Sequence, residues 1–141
     1  MQGYRPAWRG KRIVFDTSAL MLAADGVPVF DLVEEVVGGR PECIILEPVL
    51  RELEKHARSR SVKKRVAARL ALQLIERRGC RIVEYGAGRI ADDAIVEYVL
   101  QDREATVVTA DTGLHKRLLR MGIPHLYYRE ESRRFETTGG V

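Results

Sequence analysis

The sequence predicts a single α/β domain built on a parallel sheet with helices on both faces. Two observations predict it: five short apolar runs of strand length, and segments of helical periodicity that alternate with them. No internal repeat, low-complexity stretch or inter-domain linker breaks the alternation, and 141 residues suit one domain with a normal core.

Taken in order, residues 1–11 read as an N-terminal arm, with Arg5, Arg9 and Lys11 around Tyr4 and Trp8. The first strand is Arg12–Asp16, where Ile13-Val14-Phe15 ends on a carboxylate. A short helix follows, with Thr17 or Ser18 as its cap. Val29–Gly38 has apolar residues at 29, 30, 32, 33, 36 and 37, a helical spacing stopped by Gly38-Gly39. Cys43–Leu46 is the second strand. Glu47-Pro48 opens a helix carrying Val49, Leu50, Leu53 and Ala57, with proline in its first turn. Ser61–Arg77 is a helix on which Val62, Val66, Leu70 and Leu74 form one apolar stripe. Arg81–Tyr85 is the third strand, and Gly86-Ala87-Gly88 turns into a helix from Ile90 to Gln101. Ala105–Thr109 is the fourth strand, Thr112–Met121 a helix stopped by Gly122, and Pro124–Tyr128 the fifth strand. The domain therefore spans 12–129, and residues 130–141 read as a polar tail.

Composition removes several classes. Charged residues make up 31% of the chain, and the longest apolar run, Ala19–Ala24, is far too short to span a bilayer. The N-terminus lacks the apolar core of a signal peptide. These features predict a cytoplasmic protein with no membrane contact. The absence of Asn and the use of Arg for most basic positions fit a thermophile, although GC-rich coding gives some of the same bias. Cys43 and Cys80 are isolated. Without a CxxC or a Cys/His cluster there is no structural zinc site, and two buried free thiols are the default reading.

Acidic residues recur at or after strand ends: Asp16, Glu52 (with Glu47), Asp92 and Asp93, and Asp111. Ligands of open α/β sheets bind outside the carboxyl ends of the strands. Each acid alone reads as a helix cap or a solvated charge. Four on one sheet edge repel unless something positive sits among them. Oxygen-only donors suit Mg²⁺ or Mn²⁺, and two such ions about 4 Å apart can activate a water and stabilise the leaving oxygen of a phosphodiester. Asp93 is preferred to Asp92, because Asp92 is the natural cap before Ile95 and Val99, whereas Asp93 lies one turn before Glu97. Glu52 is preferred to Glu47. Thr17, Ser18 and Thr109 stand beside these acids, either as caps or to orient carboxylates and metal-bound water.

From Lys55 to Ile75 the chain has seven Lys/Arg and no acid: Lys55, Arg58, Arg60, Lys63, Lys64, Arg65 and Arg69. The whole chain carries +4, so the remainder sums to −3. Lys63, Lys64 and Arg65 lie in the first turn of their helix, where the macrodipole disfavours cations. Phosphate binding explains that choice better than a solvated face does. Gly86-Ala87-Gly88-Arg89-Ile90-Ala91 also matches a dinucleotide fingerprint. Asp92-Asp93, however, put two negative charges where the pyrophosphate would bind, so the glycines read as a turn.

Four stretches together, IVFDTSALML, ILEPVLRELEKHA, ADDAIVEYV and VVTADTGLHKRLLRMGIPHLYYR, resemble the PIN-domain nucleases. The resemblance is nearest to the archaeal branch related to the small-subunit rRNA-processing nucleases. It implies a three-layer α/β/α sandwich with a central five-stranded parallel sheet in the order 3-2-1-4-5. It also implies acids that bind Mg²⁺ or Mn²⁺ and cut single-stranded RNA, carried here by Asp16, Glu52, Asp93 and Asp111. Relatives often read Asp-Thr-Asn where this chain has Asp16-Thr17-Ser18, and Thr-Asn-Asp where it has Thr109-Ala110-Asp111. Ser18 keeps a hydrogen-bonding side chain and Ala110 does not.

The function expected from these residues is a metal-dependent endoribonuclease. Its setting is either the processing of an rRNA precursor or the toxin half of a pair with an antitoxin protein; the basic helix tilts the balance toward processing. The alternative is a non-catalytic RNA-binding module on the PIN fold, motivated by Ala110. A homodimer stays open. If strands two and three are neighbours, Cys43 and Cys80 lie near the starts of adjacent parallel strands, and a bridge between them becomes open as well.

Overall fold

A computed structural model describes residues 12–138; the N-terminal arm expected at 1–11 lies outside the described residues. The sheet is built from β1 (Arg12–Phe15), β2 (Glu42–Leu46), β3 (Arg81–Val83), β4 (Ala105–Thr109), β5 (His125–Arg129) and β6 (Arg134–Thr138). The helices are α1 (Thr17–Met21), which runs into a 3-10 turn at Leu22–Asp25, then α2 (Val29–Val37), α3 (Glu47–His56), α4 (Val62–Arg77), α5 (Ala91–Gln101) and α6 (Thr112–Arg120). The spatial order is β3-β2-β1-β4-β5-β6. The first five strands are parallel and follow the expected order 3-2-1-4-5.

Every residue of β4 is buried, as are Ile13-Val14-Phe15 of β1 and Ile44-Ile45-Leu46 of β2. Successive strand residues point to opposite faces, so these runs are covered on both sides, as a parallel sheet with helices on both faces requires. The order matters for function because it makes β1 the neighbour of both β2 and β4. The carboxyl ends of those three strands, with the start of α5, form one edge.

The structure differs from the sequence reading in three places. The tail after Arg129 is not structureless: Arg134–Thr138 forms a sixth strand, antiparallel to β5. Only Phe135 of that strand is buried, 5.3 Å from Tyr128 in an edge-on contact, and Arg134 pairs with Glu35. A strand that buries one apolar side chain carries almost no periodic signal. Second, α4 leaves the first half of its Val62–Leu74 stripe in solvent, and Leu70 and Leu74 are only partly buried. Ala67, Ala68, Ala71 and Ile75 face the core, while Val62 and Val66 are 61% and 54% exposed. Small residues let the helix backbone approach α3 and α1 closely, a preference that side-chain hydrophobicity does not report. Third, Cys43 and Cys80 are joined by a disulfide with a Cα separation of 4.7 Å, in place of two free thiols. The register of β2 with β3, Ile44 opposite Arg81, sets the two cysteines side by side.

Gly86 has a φ of +75° and lies against α5, where a Cβ would stand 2.6 Å from Ala94 Cβ. The glycine motif is thus a tight turn that seats α5, as expected, and it puts Asp92 and Asp93 in that helix's first turn.

Candidate active site

Asp16 ends β1 and is 4% exposed. Ser18 Oγ donates to its Oδ2 at 2.7 Å, and Thr109 Oγ1, from the end of β4, donates to the same oxygen at 2.9 Å. Each hydroxyl has one hydrogen and spends it on Asp16, so the 3.3 Å approach of Ser18 Oγ to Thr109 Oγ1 is a contact without a donor. Both hydroxyls also accept: Ser18 from the Ala110 amide at 3.0 Å, and Thr109 from the Asp111 amide at 3.0 Å. The result is a polar clamp between the ends of β1 and β4 that fixes one carboxylate. At Ala110 the main-chain N–H takes part in this clamp, and the side chain does not.

The expected capping roles are redistributed. Neither Thr17 nor Ser18 caps α1, whose N-cap is Asp16 with no side-chain cap bond. Thr17 Oγ1 instead donates to Glu52 Oε1 at 2.5 Å, tying α3 to the end of β1. Asp111 is a true cap: its Oδ2 accepts from the Leu114 amide at 2.8 Å.

Asp16, Glu52, Asp92 and Asp111 line one cleft of about 360 Å³, together with Thr17, Ser18, Met21, His56, Ile90 and Ala91. Among the described residues no Lys or Arg lines it. Burial pushes the Asp16 carboxyl up, against the pull of the Ser18 and Thr109 hydroxyls, and Glu52 adds to the upward push. Burial also raises Asp92, and the charges of Asp16, Asp111 and Glu52 raise it further, to about 6; Arg117 opposes them. These are the marks of carboxylates crowded together in a partly buried site.

Neither neighbour at the start of α5 takes the place that spacing suggests for it. Asp92 faces the cleft and is not a cap, since the N-cap of α5 is Ile90. Asp93 turns to Arg117 of α6, at 2.7 Å. Glu97 pairs with Arg89 rather than supporting Asp93, and Glu47 pairs with Arg51 outside the cleft. His56 and Ile90 were not singled out in the sequence. His56 sits four residues after Glu52, one turn further along the same face of α3, and that spacing is the signal that finds it.

Of the basic residues, Lys63 and Lys64 are exposed at the start of α4, whose N-cap Ser61 accepts from the Lys64 amide at 3.3 Å. Arg65 folds back onto the Ser59 carbonyl at 2.9 Å. Arg58, Arg60 and Arg69 are exposed. Among the described residues none of these six forms an ion pair.

The residues that the described structure brings together are therefore Asp16, Glu52, Asp111 and Asp92, with Asp93 one step outside. The donor set is all oxygen apart from His56, which fits a hard divalent cation. Among the described residues no group of three His, Cys, Asp or Glu side chains stands preformed around one point. No helix among them is long and apolar enough to cross a membrane.

The sequence pattern of the PIN-like domain family matches residues 13–131, which takes in every element of this cleft. The chain belongs to the PIN-like domain family. It is 30% identical over 131 residues to ribonuclease VapC4 of Methanocaldococcus jannaschii, an alignment covering 92% of this chain and 98% of that protein. Its fold is similar to the solved structure of the PIN domain endonuclease Utp24, with a TM-score of 0.72, 22% identity and 92% of each chain covered. That likeness bears on the PIN fold, including the 3-2-1-4-5 order of the parallel strands.

Proposed function

We propose that this PIN protein is a divalent-metal-dependent endoribonuclease that cuts single-stranded RNA, with Asp16, Glu52, Asp92 and Asp111 as its metal-binding acids. One observation carries the reading: four carboxylates share a cleft that no Lys or Arg lines among the described residues, and burial, with the charges of the other three, pushes Asp92 to about 6. Such a cluster is stable at neutral pH only with cations among its members. Kinship with a ribonuclease over nearly the whole chain supports the choice of RNA. Bound Mg²⁺ or Mn²⁺ would supply a water of lowered pKa and neutralise charge developing on the phosphodiester.

The chain's own residues do the positioning. The Ser18–Thr109 clamp holds Asp16 in one orientation, so it need not be ordered when the ion arrives. Thr17 does the same for Glu52. Asp111 is fixed by its cap bond to Leu114. Asp93 acts at one remove: by engaging Arg117 it keeps that cation out of the cleft. The basic residues around α4 hold the phosphate backbone of the RNA, and the processing of an rRNA precursor remains the setting that this basic helix favours.

A second reading, a binding module that does not cut, is motivated by Ala110 and by the lack of three preformed ligands among the described residues. Incubating unstructured oligoribonucleotides with the protein in Mn²⁺ separates the two. Cleavage that EDTA and Asp16→Asn both abolish establishes the enzyme. Binding without cleavage by the wild type, across several sequences, establishes the module. For the biological setting, an antitoxin gene immediately upstream would assign the protein to a toxin–antitoxin pair.

A further inference from the structure

A second groove adjoins the acidic cleft. It holds about 390 Å³ and is walled by Met21, Leu22, Ala24 and Asp25 from α1 and the 3-10 turn on one side, and by Ser61, Lys63, Lys64 and Ala67 of α4 on the other. Ser18 and Met21 line both the groove and the cleft, so the two are continuous. The groove alternates two kinds of surface. Met21, Leu22, Ala24 and Ala67 are apolar, whereas Lys63 and Lys64 are consecutive cations in the first turn of a 16-residue helix, with no acid in that turn. Neither lysine forms an ion pair among the described residues, and the helix dipole at that end adds to their positive field.

We infer that this groove is the subsite for the nucleotide next to the scissile phosphate, with its own phosphate between Lys63 and Lys64 and its base against Met21, Leu22, Ala24 and Ala67. The inference rests on the ribonuclease reading of the cleft and adds to it a named place and path for the RNA. A strand that carries a phosphate and an apolar base in turn matches an apolar wall flanked by two point charges. Continuity through Ser18 and Met21 lets the next phosphate of the same strand reach the acids. An acidic peptide would satisfy the lysines, but it would then lead further carboxylates into a cleft that already holds four. Among the described residues Asp25 is the one acid lining the groove, and it opposes phosphate binding there.

The test uses the full chain, a fluorescent single-stranded oligoribonucleotide, and cleavage in Mn²⁺ under single-turnover conditions at several salt concentrations. A phosphate contact on a single strand contributes about 0.7 to the logarithmic salt slope, which is about fivefold in affinity at 0.1 M salt relative to 1 M. Lys63→Gln with Lys64→Gln should therefore raise the half-saturating protein concentration about fivefold at 0.1 M and flatten the slope by ~0.7. The rate at saturation should stay unchanged. Asp25→Asn should move half-saturation the other way. Arg103→Gln, an exposed cation preceding β4 at the far end of the sheet, is the control and should change neither. All these positions are exposed, so the fold is not at stake. If the wild type cuts and the lysine pair behaves like Arg103→Gln, the subsite is overturned and the ribonuclease reading stands. If the wild type does not cut but binds the RNA in a Lys63- and Lys64-dependent way, the ribonuclease reading falls and the groove stands as an RNA site. Displacement of the RNA by a poly-glutamate peptide that needs the same two lysines and binds more tightly would overturn the proposal in favour of a protein ligand.

Discussion

Asp92 and Asp93 are adjacent in sequence, and replacing each by Asn should move stability in opposite directions. Asp92 rises from an ordinary carboxylate value near 3.8 to about 6 in the fold. A carboxylate whose folded pKa is raised binds its proton more tightly when folded, so stability is lost as pH climbs from about 4 through about 6. A two-unit shift corresponds to ~3 kcal/mol. Asp92 is only partly buried, and solvent screening cuts this to about 1 kcal/mol. Asp92→Asn removes that cost. In EDTA at pH 7 the variant should melt roughly 3 °C above the wild type, a gap that closes toward pH 4. Asp93→Asn instead breaks the 2.7 Å pair with Arg117, whose partners are 40% and 37% exposed, and should lower stability by up to ~1 kcal/mol. Thermal melts from pH 4 to 7.5, each variant against the wild type, read both signs, and cleavage in Mn²⁺ reads function: Asp92→Asn should lose orders of magnitude and Asp93→Asn far less. The reasoning is refuted if Asp93→Asn is the variant that gains apo stability and loses cleavage. Asp93 would then belong to the acid cluster, as the spacing to Glu97 suggested.

Three further outcomes are expected. Thr109→Val takes one of two hydroxyls from the buried Asp16 carboxylate, and should lower apo stability at pH 7 by ~1.5–3 kcal/mol, measured by denaturant unfolding. The Cys43–Cys80 bridge, whose ends are 37 positions apart, contributes about 4 kcal/mol in the chain-entropy account. It lies at the strand starts, away from the cleft, so dithiothreitol should lower the melting temperature and leave the cleavage rate unchanged below it; intact mass without reductant should fall ~2 Da short of the reduced mass. His115 Nδ1 lies 2.9 Å from His125 Nε2, both rings are buried, and burial lowers both pKa values. Their lowered folded values mean stability is lost as pH falls below ~6.5; His115→Phe, which keeps a ring on Tyr127, should flatten that acid limb in pH-dependent melts.

What the sequence shows here is largely what is local. A short apolar run ended by a carboxylate marks β1 and Asp16 within five residues, and Gly86-Ala87-Gly88 marks the turn that seats α5. The cleft acids at Asp16, Glu52 and Asp111 follow because strand ends converge once the sheet is parallel. Asp92 against Asp93 does not follow. One residue on a helix is a rotation of about 100°, and which neighbour faces the cleft depends on where α6 presents Arg117. The Ser18–Asp16–Thr109 clamp needs β1 and β4 to be neighbours, which periodicity does not state. β6 was hidden because Phe135 is its only buried side chain, and the buried face of α4 because alanines mark it.

Binding of Mn²⁺ to the full chain tests the carboxylate cluster most directly. Electron paramagnetic resonance of free Mn²⁺ reads binding, and a melting curve on the same samples reads linkage. The wild type should remove Mn²⁺ from solution and gain about 2.7 kcal/mol of stability at a hundredfold excess over the dissociation constant. Asp16→Asn and Asp92→Asn should bind weakly and gain little, whereas Asp93→Asn should follow the wild type. Full free-ion signal and an unshifted melting curve for the wild type at millimolar Mn²⁺, with a single-stranded oligoribonucleotide present or absent, would contradict the metal site and the nuclease built on it.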